Sequence, residues 1–353
     1  MAYTTIDDPT IYFNTKLYTG TGSSQSITGV GFQPDWIWFK NRTSAQSHAL
    51  VDSVRGRKGL QTNDDDVEYT LNTGKDFTSF DSDGFTVGVP EQLNSFNYNT
   101  GSIVAWNWKA GGSASSNGNG SITSSVSVST DAGFSIVSYT GTGSNATVGH
   151  GLGSAPGWFV TKSRDTGTEG WMVFHQSLGA TKGVRLNENA NAATVSTYFN
   201  DTAPTNSVFS IGTNDVVNKS GDKYIAYCFA EKKGYSKFGS YTANGDADGT
   251  FVYTGFAPSF IIFKRTDSGT YNWVMMDNKR NTYNPWTNLL LPNLNNAEIT
   301  ISASNLSTDF LSNGFKLRSS SGANPTTNQG TVIYMAFAES PFVNSNGVPN
   351  NAR

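Results

Sequence analysis

Apolar residues along this chain fall in short runs rich in Val, Ile, Phe, Tyr and Trp, and Gly, Asn, Asp and Ser bound those runs. Helical periodicity is almost absent, so the pattern predicts strands. Trp36-Ile37-Trp38-Phe39 and Phe260-Ile261-Ile262-Phe263 are apolar on both faces and predict central strands. Ser135-Ile136-Val137-Ser138-Tyr139 alternates and predicts a strand with one wet face. Asp83-Gly84, Asn244-Gly245, Asp248-Gly249 and Asn313-Gly314 signal turns. Pro34, Pro156 and Pro258 stand where a loop enters the next strand, a place that tolerates a missing backbone donor.

The strand pattern is triplicated. Gly31-Phe32-Gln33-Pro34-Asp35-Trp36-Ile37-Trp38-Phe39-Lys40 returns as Gly153 to Lys162 and again as Gly255 to Lys264, with proline and lysine six apart each time. Tyr18-Thr19-Gly20, Tyr139-Thr140-Gly141 and Tyr241-Thr242-Ala243 precede the prolines by 16, 17 and 17 residues. A second apolar segment (His48 to Asp52, Trp171 to His175, Trp273 to Asp277) and a third (Gly84 to Val87, Val208 to Ile211, Gly314 to Leu317) follow in each copy. Each copy closes on an aromatic, alanine-rich strand: Ala105 to Ala110, Ala226 to Glu231, and Tyr334 to Glu339. A long fixed period means one folding unit used several times.

Three units of about 100 residues fit the usual domain size. The expected division is an N-terminal arm (1–15), repeat one (16–111), a flexible Gly/Ser/Asn linker (112–121), repeat two (122–234), repeat three (235–342) and a polar tail (343–353). Short strands with dense turns predict an all-β fold, three tandem antiparallel β-sandwich repeats of jelly-roll, lectin-like form, with an open β-barrel as the alternative.

Composition narrows the function. Hydrophobic residues are 36%, below the globular average, and aromatics at 13% compensate with large side chains. A net charge of −3 gives no electrostatic case for nucleic acid or an anionic membrane, and no apolar run reaches 18 residues, so no membrane insertion is expected. The N-terminus is polar and acidic and lacks the zones of a signal peptide. Cys228, the single cysteine, lies between Tyr227 and Phe229 and reads as a buried small hydrophobe. A surface of extracellular type without an export signal suits a virion protein, assembled in a host cytoplasm and released by lysis.

Several stretches point the same way. Met1 to Pro9, Gly120 to Ser127, Ala132 to Gly141, Gly149-His150-Gly151-Leu152-Gly153, Tyr224 to Glu231 and Gly234 to Thr242 together resemble a tandem domain of tailed-phage proteins, frequent in marine and cyanobacterial phages. The resemblance covers nearly the whole chain. It implies a structural or tail-fibre-like virion component and carries no catalytic residues to transfer.

Candidate chemistry is thin. His48, His150 and His175 show no ligand spacing, so no metal or other cofactor is expected. Asp81-Ser82-Asp83-Gly84 and Asp246-Ala247-Asp248-Gly249 echo calcium loops but read first as turns. The Gly149 to Gly153 loop precedes a strand, not a helix, so it lacks a phosphate cradle and reads as a mobile or tightly turned loop. Glycan hydrolysis needs two facing carboxylates; Asp52 and Asp277 are equivalent in the repeat, but repeat two has His175 there. The run Asp64-Asp65-Asp66-Val67-Glu68 reads as a solvated face. The binding candidates are loop aromatics beside polar groups, Tyr98, Tyr283 and Trp286, whereas Trp36, Trp38, Trp108, Trp158, Phe229, Phe260 and Phe337 read as core. The copies diverge between Arg55 and Phe80, Gly183 and Thr205, and Asn278 and Leu306. Divergent loops on a constant scaffold suit partner specificity, drift, or packing contacts in an assembly.

The expected function is a non-enzymatic tail-fibre or spike-type adhesin that contacts a host surface glycan or protein through its loops. Other virion proteins are further partners. A capsid decoration protein is the alternative and a glycan depolymerase the third reading. A homotrimer is expected by analogy with fibres, and a pseudo-threefold monomer is its alternative.

Overall fold

The computed structural model describes residues 3–267, 269–301, 307–318 and 330–351. Regular structure is nearly all strand, in several antiparallel sheets, with one 3-10 turn (Pro9–Ile11) and two four-residue helices, Ser196–Phe199 and Asp215–Asn218, among the described residues.

Three large sheets share one strand order. Phe13–Thr19, Ser102–Trp108, Trp36–Asn41 and Ala49–Asp52 lie side by side in a six-stranded sheet, continued by Gly56–Gln61 and Tyr69–Thr70. Phe134–Thr140, Lys223–Phe229, Trp158–Ser163 and Met172–His175 take the same places in an eight-stranded sheet. Ser236–Thr242, Thr331–Pro341, Phe256–Arg265 and Val274–Asp277 do so in a four-stranded sheet. The registers match: Trp36 lies opposite Trp108 and Asp52, Trp158 opposite Phe229 and His175, and Phe260 opposite Phe337 and Asp277.

Side chains along the three landmark strands alternate between two cores. Ile37 and Phe39 pack with Ile27, Phe77, Phe85 and Val87 of a small sheet (Gln25–Thr28, Gly84–Val87, Phe77–Asp81). Phe159 packs with Val148, Phe209 and Ile211 of a second small sheet (Ala146–Gly149, Val208–Ile211). Ile261 and Phe263 pack with Val252, Phe310 and Phe315 of a third (Phe251–Tyr253, Gly314–Leu317, Thr308–Leu311). The other faces meet in one core shared by all three large sheets. It holds Trp36, Trp38, Trp106 and Trp108 with Trp158, Tyr227 and Phe229, and with Phe260, Ile262 and Phe337. Aromatic contacts cross between sheets: Trp36 stacks on Tyr227 at 4.5 Å, Trp108 meets Phe260 edge-on at 5.8 Å, and Phe229 meets Phe337 at 5.7 Å. The recurring strand aromatics are thus core, as their spacing predicts, and Cys228 is buried in its strand.

The turn signals at Asp83-Gly84 and Asn313-Gly314 close two-residue hairpins, with Asp81 opposite Gly84 and Leu311 opposite Gly314. A Cβ at either glycine would lie 1.9 Å from the Ile27 carbonyl oxygen or 2.1 Å from that of Val252, so only glycine fits. Pro34 and Pro156 precede their strands; Pro258 lies inside its strand, at a register shift that removes the need for its donor.

Four expectations are corrected. The strand at Phe134–Thr140 is covered on both faces rather than wet on one: Phe134 and Ile136 enter the shared core, Val137 and Tyr139 pack with the second small sheet, and Ser135 is fully buried. The Gly/Ser/Asn segment 112–121 is not a bare linker: Ser115–Asn117 pairs with Ser124–Ser129 and extends the eight-stranded sheet. The N-terminal segment does not stand free. Thr4 and Ile6 are buried, Thr4 Oγ1 donates to the Lys233 carbonyl (2.9 Å), and Phe13 enters the shared core. The C-terminal tail folds back as well: Asn350 N donates to the Phe342 carbonyl (2.9 Å) and Ser345 N to Asp7 Oδ1 (2.7 Å). Met1, Ala2, Ala352 and Arg353 lie outside the described residues.

A shared core predicts one cooperative unfolding unit. Phe337→Ala is expected to cost about 3–5 kcal/mol and to shift urea unfolding followed by near-UV and far-UV circular dichroism together; two separated transitions would mean that the sheets stand independently.

Candidate functional site

The two carboxylates at equivalent repeat positions lie in the junctions between large sheets. Asp52 and Asp277 are buried, and each pairs at 2.5 Å with the Nε of an arginine three residues on, Arg55 and Arg280. Asp52 also accepts from Val54 N, Arg55 N and the Tyr227 hydroxyl (2.8 Å) of the next sheet. Asp277 accepts from Lys279 N, Arg280 N and Trp106 Nε1 (3.1 Å) of the next sheet. A carboxylate offers about four lone-pair sites, so neither retains a free one for a substrate or a water. His175, at the equivalent position, keeps its proton on Nε2 and donates to the Tyr334 carbonyl (3.1 Å), while Nδ1 accepts from Ser177 N.

A second tier of contacts buttresses each junction. Glu68 N donates to the Arg164 carbonyl, Ala192 N to that of Thr266 and Glu298 N to that of Arg42, so the contacts run from the first large sheet to the second, the second to the third and the third to the first. Glu68 binds Arg164 (2.8 Å) and Arg55 (3.2 Å), and Glu298 binds Arg42 (2.7 Å) and Arg280 (2.8 Å). Burial works against ionised Glu68 and Glu298, yet the flanking arginines hold both below the usual carboxylate range. The acidic run at 64–68 is therefore not a solvated face throughout. Glu68 closes a junction, and burial together with Asp66 raises the Asp64 carboxyl to about 6.

Lys40, Lys162 and Lys264 complete the cycle. Each lies on the shared-core side of its strand, two residues beyond Trp38, Val160 or Ile262. Each donates to the carbonyl of its own successor at 2.8 Å and to a loop carbonyl from another sheet's connection: Asn295, Asp65 and Asn189 respectively. Burial pushes Lys40 down to about 7 and Lys162 and Lys264 to about 8. The motif lysine was visible in the repeat, but nothing in the sequence marked it as a junction group. The three divergent segments are likewise drawn inward where they supply Asp65 and Glu68, Asn189 and Ala192, and Asn295 and Glu298. Residues 302–306 of the last one lie outside the described residues.

The remaining sequence candidates are structural or turned outward. All three histidines are buried and their imidazoles lowered by burial, His175 to about 4. Gly151 and Gly153 have φ near +70°, so that loop is tightly turned around His150, whose Nδ1 accepts from Leu152 N. Asp83 accepts from Gly29 N and Gly31 N, and Asp248 pairs with Lys316 at 2.7 Å. No group of three His, Cys, Asp or Glu side chains comes together among the described residues.

Tyr98 is 43% exposed and Tyr283 83% exposed, on loops of different sheets. Trp286 is corrected: it is 1% exposed, stacks on Phe310 at 4.4 Å and donates from Nε1 to Asn284 Oδ1. The hydrophobic ring found a strand aromatic to cover, and only its neighbour Tyr283 was left outside. Next to Tyr283 lies a wide, open surface cavity of about 430 Å³ lined by Asn284, Pro285, Ser307, Asp309 and Arg318. Arg318 Nε bonds Asp309 Oδ2 at 2.9 Å, and burial raises the Asp309 carboxyl despite Arg318 and Lys316. This concave, polar site flanked by an exposed ring can hold a hydroxylated ligand.

Residues 8–341 match the model of a family described as a domain of unknown function (DUF7483). No curated protein matches the chain.

Two outcomes follow from the junctions. Arg280→Met leaves the Asp277 carboxylate buried without its cation and is expected to destabilise the protein by about 3–5 kcal/mol in urea titration. His175 has its folded pKa below its unfolded one, so the unfolded chain binds more protons as pH falls. Its stabilisation is complete above about 6.5 and is lost as pH falls toward about 4, by roughly 3 kcal/mol. Melting temperatures across that window are expected to fall, and His175→Gln to flatten the profile; a parallel profile in the variant would assign the loss to other groups.

Proposed function

The chain belongs to the DUF7483 family, and with that premise and the geometry above we propose that it is a non-enzymatic virion protein, an adhesin of tail-fibre or spike type. Its body is three tandem β-sandwich copies of jelly-roll, lectin-like form, spanning 16–111, 122–234 and 235–342. The matched registers and the cyclic junctions support this reading of the body. They also favour a pseudo-threefold monomer over a homotrimer, because one chain already closes the ring that three subunits would otherwise make.

One observation carries the functional reading. The two carboxylates at equivalent repeat positions, Asp52 and Asp277, are saturated inside junctions, whereas the loop tyrosines Tyr98 and Tyr283 face outward. Weak contacts from such loops add by multivalency when several act from one body. The preferred target is a host surface glycan. A capsid decoration protein is the second reading, supported by the fact that no described helix exceeds four residues, whereas a coiled-coil fibre shaft is built on heptads.

The purified chain is expected to bind surface polysaccharide on a glycan array and to release no reducing ends from it during prolonged incubation. Quantitative mass spectrometry of particles is expected to count a few to a few tens of copies. Hundreds of copies would favour decoration, and reducing-end release would replace the adhesin with a depolymerase.

A further inference from the structure

The three small sheets provide an internal control. Their inward faces are all apolar, but their outward rows differ at equivalent register positions. In the first, Ser26, Thr86 and Ser79 form one row, with Ser26 Oγ and Thr86 Oγ1 bonded at 2.8 Å. In the second the row is Thr147 and Ser210. In the third it is Phe251, Lys316 and Asp309, and the next row is Tyr253, Gly314 and Leu311. Phe251 is 44% exposed and Tyr253 49% exposed, two residues apart on one face. Two of the three sheets manage with hydroxyls there, so the scaffold itself does not require aromatics.

The charges beside these rings are balanced. Lys316 and Arg318 both pair with Asp248, and Arg318 also pairs with Asp309. Gly314 leaves the floor beside Tyr253 without a side chain. At the far edge, Trp286 bridges to Thr308 and extends the sheet, which brings Pro285, Tyr283 and the cavity of about 430 Å³ alongside Asp309 and Arg318. Four strand positions at about 4.8 Å spacing make a platform on the order of 14 Å across.

We propose that this face of the third small sheet is a saccharide-binding site. Sugar rings present an apolar C–H face and a rim of hydroxyls. Phe251 and Tyr253 take the apolar faces by stacking, Lys316 and Arg318 donate to hydroxyls, Asp309 accepts from them, and the cavity beside Tyr283 receives a terminal residue. Rings interspersed with paired charges, as in the row of Phe251, Lys316 and Asp309, suit a hydroxylated ring better than a second protein copy, which would call for a continuous apolar patch. The balanced charge predicts binding that changes little with salt, unlike capture of a polyanion. The site rests on the adhesin reading and gives it a location.

The test is a printed panel of bacterial O-chain and capsular polysaccharides with dextran and chitin oligomers, probed with the full chain. Phe251→Ala/Tyr253→Ala and Arg318→Gln are each expected to weaken binding about tenfold or more with unchanged melting temperature, whereas Ser26→Ala and Thr147→Ala leave it intact. Unchanged affinity in the aromatic double variant overturns this site and leaves the adhesin reading standing. No binding by the native chain to any member overturns both. A native dimer in sedimentation that the double variant loses would make a second copy the occupant and overturn the saccharide.

Discussion

A strand that is apolar on both faces needs a cover on each side. Trp36–Asn41, Trp158–Ser163 and Phe256–Arg265 all carry that requirement. A small sheet covers one face of each. Among the described residues the other face meets only the two remaining large sheets, so the three cover one another. Trp36, Trp158 and Phe260 lie at the same register position, and their inward faces are filled mainly by rings. Each buried aromatic contributes on the order of 1.5–3 kcal/mol, so no large sheet keeps its stability if the others are lost. The low aliphatic content of the chain fits this plan: a core built of few large side chains can still close the space between three sheets.

Mutual covering forces polar groups into the seams, and each seam meets that demand differently. Where the closing strand offers Tyr227 or Trp106, the facing residue is an aspartate locked to an arginine. Where it offers Met335, which has no strong donor, the facing residue is His175 and its bond goes to a backbone carbonyl. Glutamate faces arginine across two seams, and Ala192 faces Thr266 across the third. A buried ion pair is weak ground for stability by itself, but leaving one partner unmatched is costly. Exchanging neighbours would strand a carboxylate or a guanidinium, so the seams fix the cyclic order of the sheets.

With the inner faces committed to each other, chemistry is free to vary only outside. The outward rows of the small sheets show this: hydroxyl pairs in two, rings and charges in the third. Loops that vary most between the copies are split in the same way. Their inward ends are tied to a neighbour by backbone bonds, while other positions, such as Tyr283, stand in solvent. Recognition of a partner fits that outer set, because changing it leaves the seams untouched.

The sequence by itself determined the strand character, the triplicated landmarks and the buried aromatics, since alternation and turn residues act between neighbours in the chain. It also named Tyr98 and Tyr283 as outward rings, from polar flanks alone. It misjudged Trp286, the wet face at Ser135 and the segment 112–121, because each depends on what lies across from it rather than beside it. Only the tertiary structure decided that Asp52, Glu68 and Lys162 belong to one seam, and that Phe251 stands in the row of Ser26 and Thr147. Those partners are far apart in the chain, and their proximity is set by which sheet covers which face, a property no local period encodes.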